Sequence, residues 1–217
     1  MHYPRIPREY WEHRIKLSKA MGMNTICIYL FWNLHEQQPG QYDFKGQNNV
    51  AEFVKLAQKN GMYCIVRPVC VCRVGHGQLA LVAPEETGRA GAHPERSVFH
   101  GPDQNVPEAA KQLAPLQIQN GGNILMVQVE NEYATFGDEQ AYMEATRNAV
   151  REAGFDKAQL FRCDWPSNFN KYQLEGVATT LNFAAGTNIN ESFKTFQKLN
   201  PTAPLMCSEQ RILVRVV

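Results

Sequence analysis

The chain contains no apolar run approaching the roughly 20 residues that a membrane-spanning helix requires, and residues 1–8 lack the apolar centre of a signal peptide. Neither export nor retention is read from that, and the compartment stays open. Charge of one sign is also missing: 22 Lys and Arg stand against 21 Asp and Glu, for a net charge of +1. Phosphate-rich partners select clustered Lys and Arg, so nucleic acid is not an expected partner and an uncharged one is. Histidine is sparse, with six scattered residues, and no His or Cys cluster adjoins the carboxylates singled out below. No metal and no cofactor are therefore implied. The six cysteines mostly lie in apolar, strand-like runs and read as small buried hydrophobes. Cys70 and Cys72 are too isolated to make a metal site. Short repeats and low-complexity tracts are absent, and a composition 44% hydrophobic and 20% charged fits one domain with a buried core.

What the sequence does have is alternation. Residues 7–22 place Tyr10, Trp11, Ile15, Leu17 and Met21 at helical spacing, with Gly22 as the stop. Residues 24–32 (NTICIYLFW) follow as a β-branched, aromatic run, the pattern of a strand covered on both faces. Helix is predicted for residues 49–60, 138–153 and 190–199, and strand for 62–67, 123–129, 159–163, 177–183 and 204–207. Strands alternating with helices, without hairpin signals, indicate βα units around a parallel sheet. The fold class expected is α/β, an incomplete (β/α)8 TIM barrel holding about strands 1 or 2 to 7.

Two carboxylates stand out on that frame. VQVENEY puts Glu130, Asn131 and Glu132 just past the end of the strand at 123–129, and Glu209 follows the strand at 204–207. Chemistry in such barrels sits at the C-terminal ends of the strands. If one strand ends near Met1, Glu132 follows the fourth and Glu209 the seventh, over one mouth. Two carboxyls about 5–5.5 Å apart suit double displacement at a sugar, one attacking the anomeric carbon and the other protonating the leaving oxygen. A single glutamate at a strand end is ordinarily a solvated loop charge. The combination with MHYPR, Trp11 and Arg14, YLFWNLHE with Pro39, Gly40 and Phe44, VQVENEY and the Ser208–Glu209 pair resembles glycoside hydrolase family 35, the β-galactosidases.

The resemblance implies Glu132 as general acid/base, Glu209 as nucleophile and Asn131 as a hydrogen-bond partner of the sugar 2-hydroxyl, with Tyr29 and Glu130 shaping the substrate site. The partner implied is a β-galactoside oligosaccharide or glycan, or a β-glucosaminide, on which other members of the family act. Tyr29 and Trp32 read equally as strand-end core aromatics, and His35 and Glu36 as loop structure.

Residues 69–110 and 210–217 depart from the family pattern within a partial barrel domain spanning 1–217. Read one base on, with third bases freely chosen, residues 72–86 give AEWDMGSLPWWLLKK, the continuation to 110 gives an amphipathic helix, and residues 211–217 give GFWSGW. A frameshift is the expected origin. The chain as written then lacks a sugar-binding Ala-Glu pair, the aromatic wall after Glu209 and an eighth strand. Little or no activity is expected of it, the alternative being a non-catalytic sugar-binding remnant of a broken gene.

Overall fold

The computed structural model describes residues 1–38, 40–68 and 102–210. Its strands are β1 (Thr25–Tyr29), β2 (Glu36–Gln38), β3 (Gln41–Tyr42), β4 (Tyr63–Arg67), β5 (Ile124–Asn131), β6 (Gln159–Asp164), β7 (Val177–Phe183) and β8 (Cys207–Gln210). The helices are α1 (Trp11–Ala20), α2 (Trp32–His35), α3 (Val50–Lys59), α4 (Pro102–Leu113), α5 (Gln140–Glu152) and α6 (Ile189–Leu199). Six strands form one sheet in the order β1-β4-β5-β6-β7-β8, every neighbouring pair parallel. A parallel neighbour cannot be reached by a tight turn. Helices α3, α4, α5 and α6 accordingly fill four of the five crossovers, while the fifth, from β6 to β7, runs through residues 165–176 without one.

The sheet curls. Arg67 on β4 and Glu209 on β8 are four strand positions apart, about 19 Å in a flat sheet at roughly 4.8 Å per strand. Yet Arg67 Nη1 lies 3.3 Å from Glu209 Oε2, a gap their side chains close only if the sheet bends round. The result is an arc of six strands, the architecture of an incomplete eight-stranded barrel.

Packing follows the two periodicities. Ile26 and Ile28 alternate along β1 into the same buried cluster as Trp11 and Ile15 of α1 and Phe53 and Val54 of α3. Tyr3 stacks on Phe53 at 5.5 Å, and the Trp11 indole closes edge-on at 5.3 Å while donating to the Tyr3 and Ile6 carbonyls. The Asn49 side chain caps α3 by accepting from the Glu52 amide at 3.0 Å, satisfying a donor that the first turn leaves unpaired. At the entry to β5, Gly122 passes so close to Leu116 that a Cβ would lie 2.0 Å from its carbonyl oxygen.

Several boundaries differ from the sequence expectation. The first helix is shorter, Trp11–Ala20, because residues 3–5 and 8–10 wind as 3-10 turns. β1 ends at Tyr29, and Trp32 opens α2 instead of continuing the strand. β5 runs on through Glu130 and Asn131, and β8 begins at Cys207, so Glu209 lies within a strand instead of beyond one. A small antiparallel hairpin, β2 with β3, forms where loop was expected. His35 is fully buried there, bonded to Tyr3 Oη at 2.6 Å and, through Nδ1, to the Asp43 carbonyl at 2.8 Å. Helix α4 forms from the residues as written, begins inside the segment 69–110 that departs from the family pattern and runs past its end, burying Val106, Ala109, Ala110 and Leu113. The frame-shift readings of residues 72–86 and 211–217, with Cys70 and Cys72, lie outside the described residues.

Candidate active site

Side chains with polar or thiol groups gather toward the C-terminal ends of the six strands. Tyr29, Arg67, Asn131, Cys163, Asn182 and Glu209 come from β1, β4, β5, β6, β7 and β8 in turn. Arg67 is their hub and is fully buried. Its guanidinium donates to Tyr29 Oη, Gln128 Oε1 and Asn131 Oδ1, contacts Cys163 Sγ at 3.4 Å and pairs with Glu209. It also lies 4.4 Å from the centroid of the Tyr29 ring. Burial works against the Arg67 charge, but nearby Cys163, Tyr29, Cys27 and Glu209 outweigh it and raise its pKa above the ordinary value. Burial pushes the Tyr29 hydroxyl and the Cys163 thiol each up to about 12, so both stay protonated donors near neutral pH.

β5, which leads into Glu132, and β8, which holds Glu209, are each bulged just before the carboxylate. Between Gln128 and Asn131, β5 spends three steps against two on β6, from Phe161 to Cys163. Between Cys207 and Glu209, β8 spends two steps against one on β7, from Leu181 to Asn182. An extra residue re-aims the side chains that follow it. After its bulge Glu132 adopts a left-handed backbone, φ 57°, the sole non-glycine residue with positive φ among the described residues. That conformation is rare enough in a glutamate to point to a demand from its surroundings. The Cys163 carbonyl accepts its amide at 2.8 Å, and Asp164 Oδ1 accepts the Ala134 amide two residues on at 3.2 Å.

Glu132 is 8% exposed, and its Oε1 accepts from Asn182 Nδ2 at 2.8 Å. Asn182 is the register partner of Glu209, so the residue that bonds Glu132 lies beside Glu209 in the sheet. Glu209 also pairs with Arg67, which donates to Asn131, the residue before Glu132 in sequence. Asn131 Oδ1 is held by Arg67 and by Cys163 Sγ at 3.0 Å, which fixes the direction of its amide nitrogen. Glu130 is 2% exposed, with Oε1 accepting from the Asn131 amide at 2.7 Å and Oε2 from Tyr142 of α5 at 2.8 Å. Burial pushes its carboxyl up to about 7. The Trp32 indole donates to the Pro68 carbonyl at 3.0 Å.

A model of glycosyl hydrolases family 35 matches residues 1–212. The chain belongs to this family. Among its relatives, a β-galactosidase of Xanthomonas manihotis is 39% identical over 213 residues, covering 96% of this chain and 35% of that protein. The β-galactosidase of Homo sapiens is 34% identical over 216 residues, covering 96% and 32%. The family 35 chain therefore spans about a third of the length of these relatives. Among solved structures, an exo-β-1,4-mannosidase from Opitutaceae bacterium strain TAV5 superposes with TM-score 0.69 at 12% identity, over 95% of this chain and 42% of that one. An endoglucanase from Thermotoga maritima gives 0.60 at 14% identity, over 92% and 71%. At such identities the likeness concerns the fold alone.

Sequence reasoning singled out Tyr29, Glu130, Asn131, Glu132 and Glu209 and passed over Arg67, Gln128, Cys163 and Asn182. The missed signal was a common one: a polar or charged residue at or next to the end of a strand run, as in MYCIVR and VATTLNF. Among the described residues there is no group of three or more His, Cys, Asp or Glu arranged to hold a metal, and no helix long and apolar enough to cross a membrane.

Proposed function

We propose that this chain carries the catalytic centre of a retaining β-galactosidase, which removes terminal β-D-galactosyl residues by double displacement. The observation that supports this reading is the gathering on one rim of Glu132, bonded to Asn182, and Glu209, paired with Arg67 and in register with Asn182. Glu209 attacks the anomeric carbon as the glycosidic C–O bond breaks, and Glu132 gives its proton to the departing oxygen. Water then attacks the glycosyl ester, Glu132 takes a proton from it, and Glu209 leaves as carboxylate. Arg67 gives Glu209 a positive partner and an orientation, and Asn131, its carbonyl oxygen already engaged, directs its amide N–H toward the sugar 2-hydroxyl. Tyr29, beside Arg67, forms part of the sugar-facing wall. Glu130 shapes the site from behind, through the Asn131 amide.

Among the described residues six strands line the rim, two fewer than close an eight-stranded barrel, so residues 1–217 are expected to turn over slowly or not at all. Ordinary enzyme rates from purified residues 1–217 would overturn that expectation. Covalent capture needs one turnover only: a slow 2-fluorogalactoside should add one sugar mass to Glu209, and Glu209→Gln should abolish the adduct. Label on another residue would move the nucleophile. Glu132→Gln should slow a phenyl galactoside, whose leaving group needs protonation, more than a dinitrophenyl one. Equal losses on both would remove the acid role. Paired galactoside and glucosaminide substrates decide the sugar, and a preference for the second would reassign the specificity.

A further inference from the structure

The backbone around Glu132 is held from β6. The Glu132 amide donates to the Cys163 carbonyl at 2.8 Å, and two residues on the Ala134 amide donates to Asp164 Oδ1 at 3.2 Å. Consecutive residues of β6 thus grip the chain just before and just after the left-handed backbone at Glu132. Asp164 is fully buried, and two further donors reach its Oδ2: Arg162 Nη1 at 2.5 Å and Tyr172 Oη at 3.0 Å. Arg162 is fixed in turn by the carbonyls of Phe169 and Tyr172, which accept from Nη2 at 2.6 and 3.0 Å, and by the Tyr172 ring, whose centroid lies 4.3 Å from its Cζ. The connection from β6 to β7, the crossover without a helix, is therefore wound around Arg162. It touches the same turn again, since Lys171 Nζ donates to the Ala134 carbonyl at 2.7 Å. Both backbone groups of Ala134 are held by β6 and the connection that leaves it.

We propose that Asp164 is the positioning residue of the acid/base: by holding the Ala134 amide it keeps Glu132 in the left-handed conformation that brings its carboxylate to Asn182 and the rim. A left-handed glutamate relaxes to an ordinary backbone conformation unless its surroundings prevent it. Relaxation would re-aim the side chain, and a displacement of about 1 Å is enough to forfeit most of a proton transfer. Arg162 and the connection wound around it keep Asp164 in place. The inference rests on Glu132 being the acid/base, and it gives the crossover without a helix a part in the chemistry.

The test follows the two halves of the reaction separately on the 217-residue chain, by intact mass. Labelling by a dinitrophenyl 2-fluorogalactoside needs attack by Glu209 but no proton for the leaving group. Release of the label needs Glu132: water attacks the anomeric carbon, the ester bond to Glu209 breaks, and Glu132 takes the proton from the water. Asp164→Asn turns one of two acceptor oxygens into a donor. The Arg162 charge retains the remaining oxygen, so the new NH2 group faces the Ala134 amide and frees the turn. Release should slow roughly tenfold or more, and labelling much less. Azide, a nucleophile that needs no base, should attack the same carbon, restore release and leave as the 2-fluorogalactosyl azide. Lys171→Met loosens the same turn from an exposed position and should slow release in the same direction by a smaller factor, whether or not Asp164→Asn folds. Labelling and release slowed alike, release unchanged in both variants, or azide failing to restore it overturns this inference alone. No label on the unaltered chain, or release no faster from it than from Glu132→Gln, overturns the double-displacement reading, and this inference with it.

Discussion

Glu130 lies two residues before Glu132, and both of its carboxyl oxygens are taken up by the Asn131 amide and the Tyr142 hydroxyl. Burial raises its pKa from 4.5 to about 7, so the folded protein holds a proton there that the unfolded chain has already released. Between pH 4.5 and 7 the native state binds more protons, and stability must fall as pH rises. The whole effect is on the order of 3 kcal/mol, fully developed above the folded pKa. Glu130→Gln keeps the shape and removes the titration, so denaturant unfolding at pH 5 and pH 8 should show this slope flattened in the variant. An unchanged slope would place its source elsewhere. Arg67 shows the complementary case of a buried charge answered by partners from four other strands.

At the scale of the element, sequence periodicity placed α1, α3, α5 and α6 and β1, β4, β5, β6 and β7, but it missed α2, α4 and the β2–β3 hairpin, and the ends of all of them answer to packing. Gly121 and Gly122 separate the two contributions at the entry to β5. Gly121 has φ 85° and open space around its missing Cβ, so Gly121→Ala should cost about 1–2 kcal/mol of left-handed strain. Gly122 has no positive φ, but an added Cβ would strike the Leu116 carbonyl, a backbone group that cannot step aside. Gly122→Ala should cost about 3 kcal/mol or more, beyond ordinary overpacking. Thermal melts of the two variants should rank them in that order. The reverse order would mean that the 116–122 turn relaxes freely. The β5 and β8 bulges belong to this scale too, each adding one residue ahead of a glutamate.

At the scale of the molecule, the arc has two ends. β1 and β8 each have one neighbour in the sheet among the described residues, and exposed strand edges are templates for pairing with another chain. Residues 1–217 are therefore expected to self-associate as concentration rises, which sedimentation velocity measures directly. A monomer across the whole range would show the edges to be covered. The same arc brings Tyr29, Arg67, Asn131 and Glu209 into one cluster despite their separation along the chain.

The sequence by itself determined the α/β alternation, the family and the glutamates to examine, because periodicity, strand-end position and the VQVENEY and Ser208–Glu209 motifs are local properties of the chain. It left Arg67 and Asn182 unremarked, and it placed Glu209 beyond a strand that in fact contains it. Bulges, curvature and the hydrogen bonds from Arg67 and Asn182 arise only when strands far apart in sequence pair in register. Tertiary structure alone decided them, since a one-residue shift between partners re-aims a side chain without leaving a mark on either strand's own pattern.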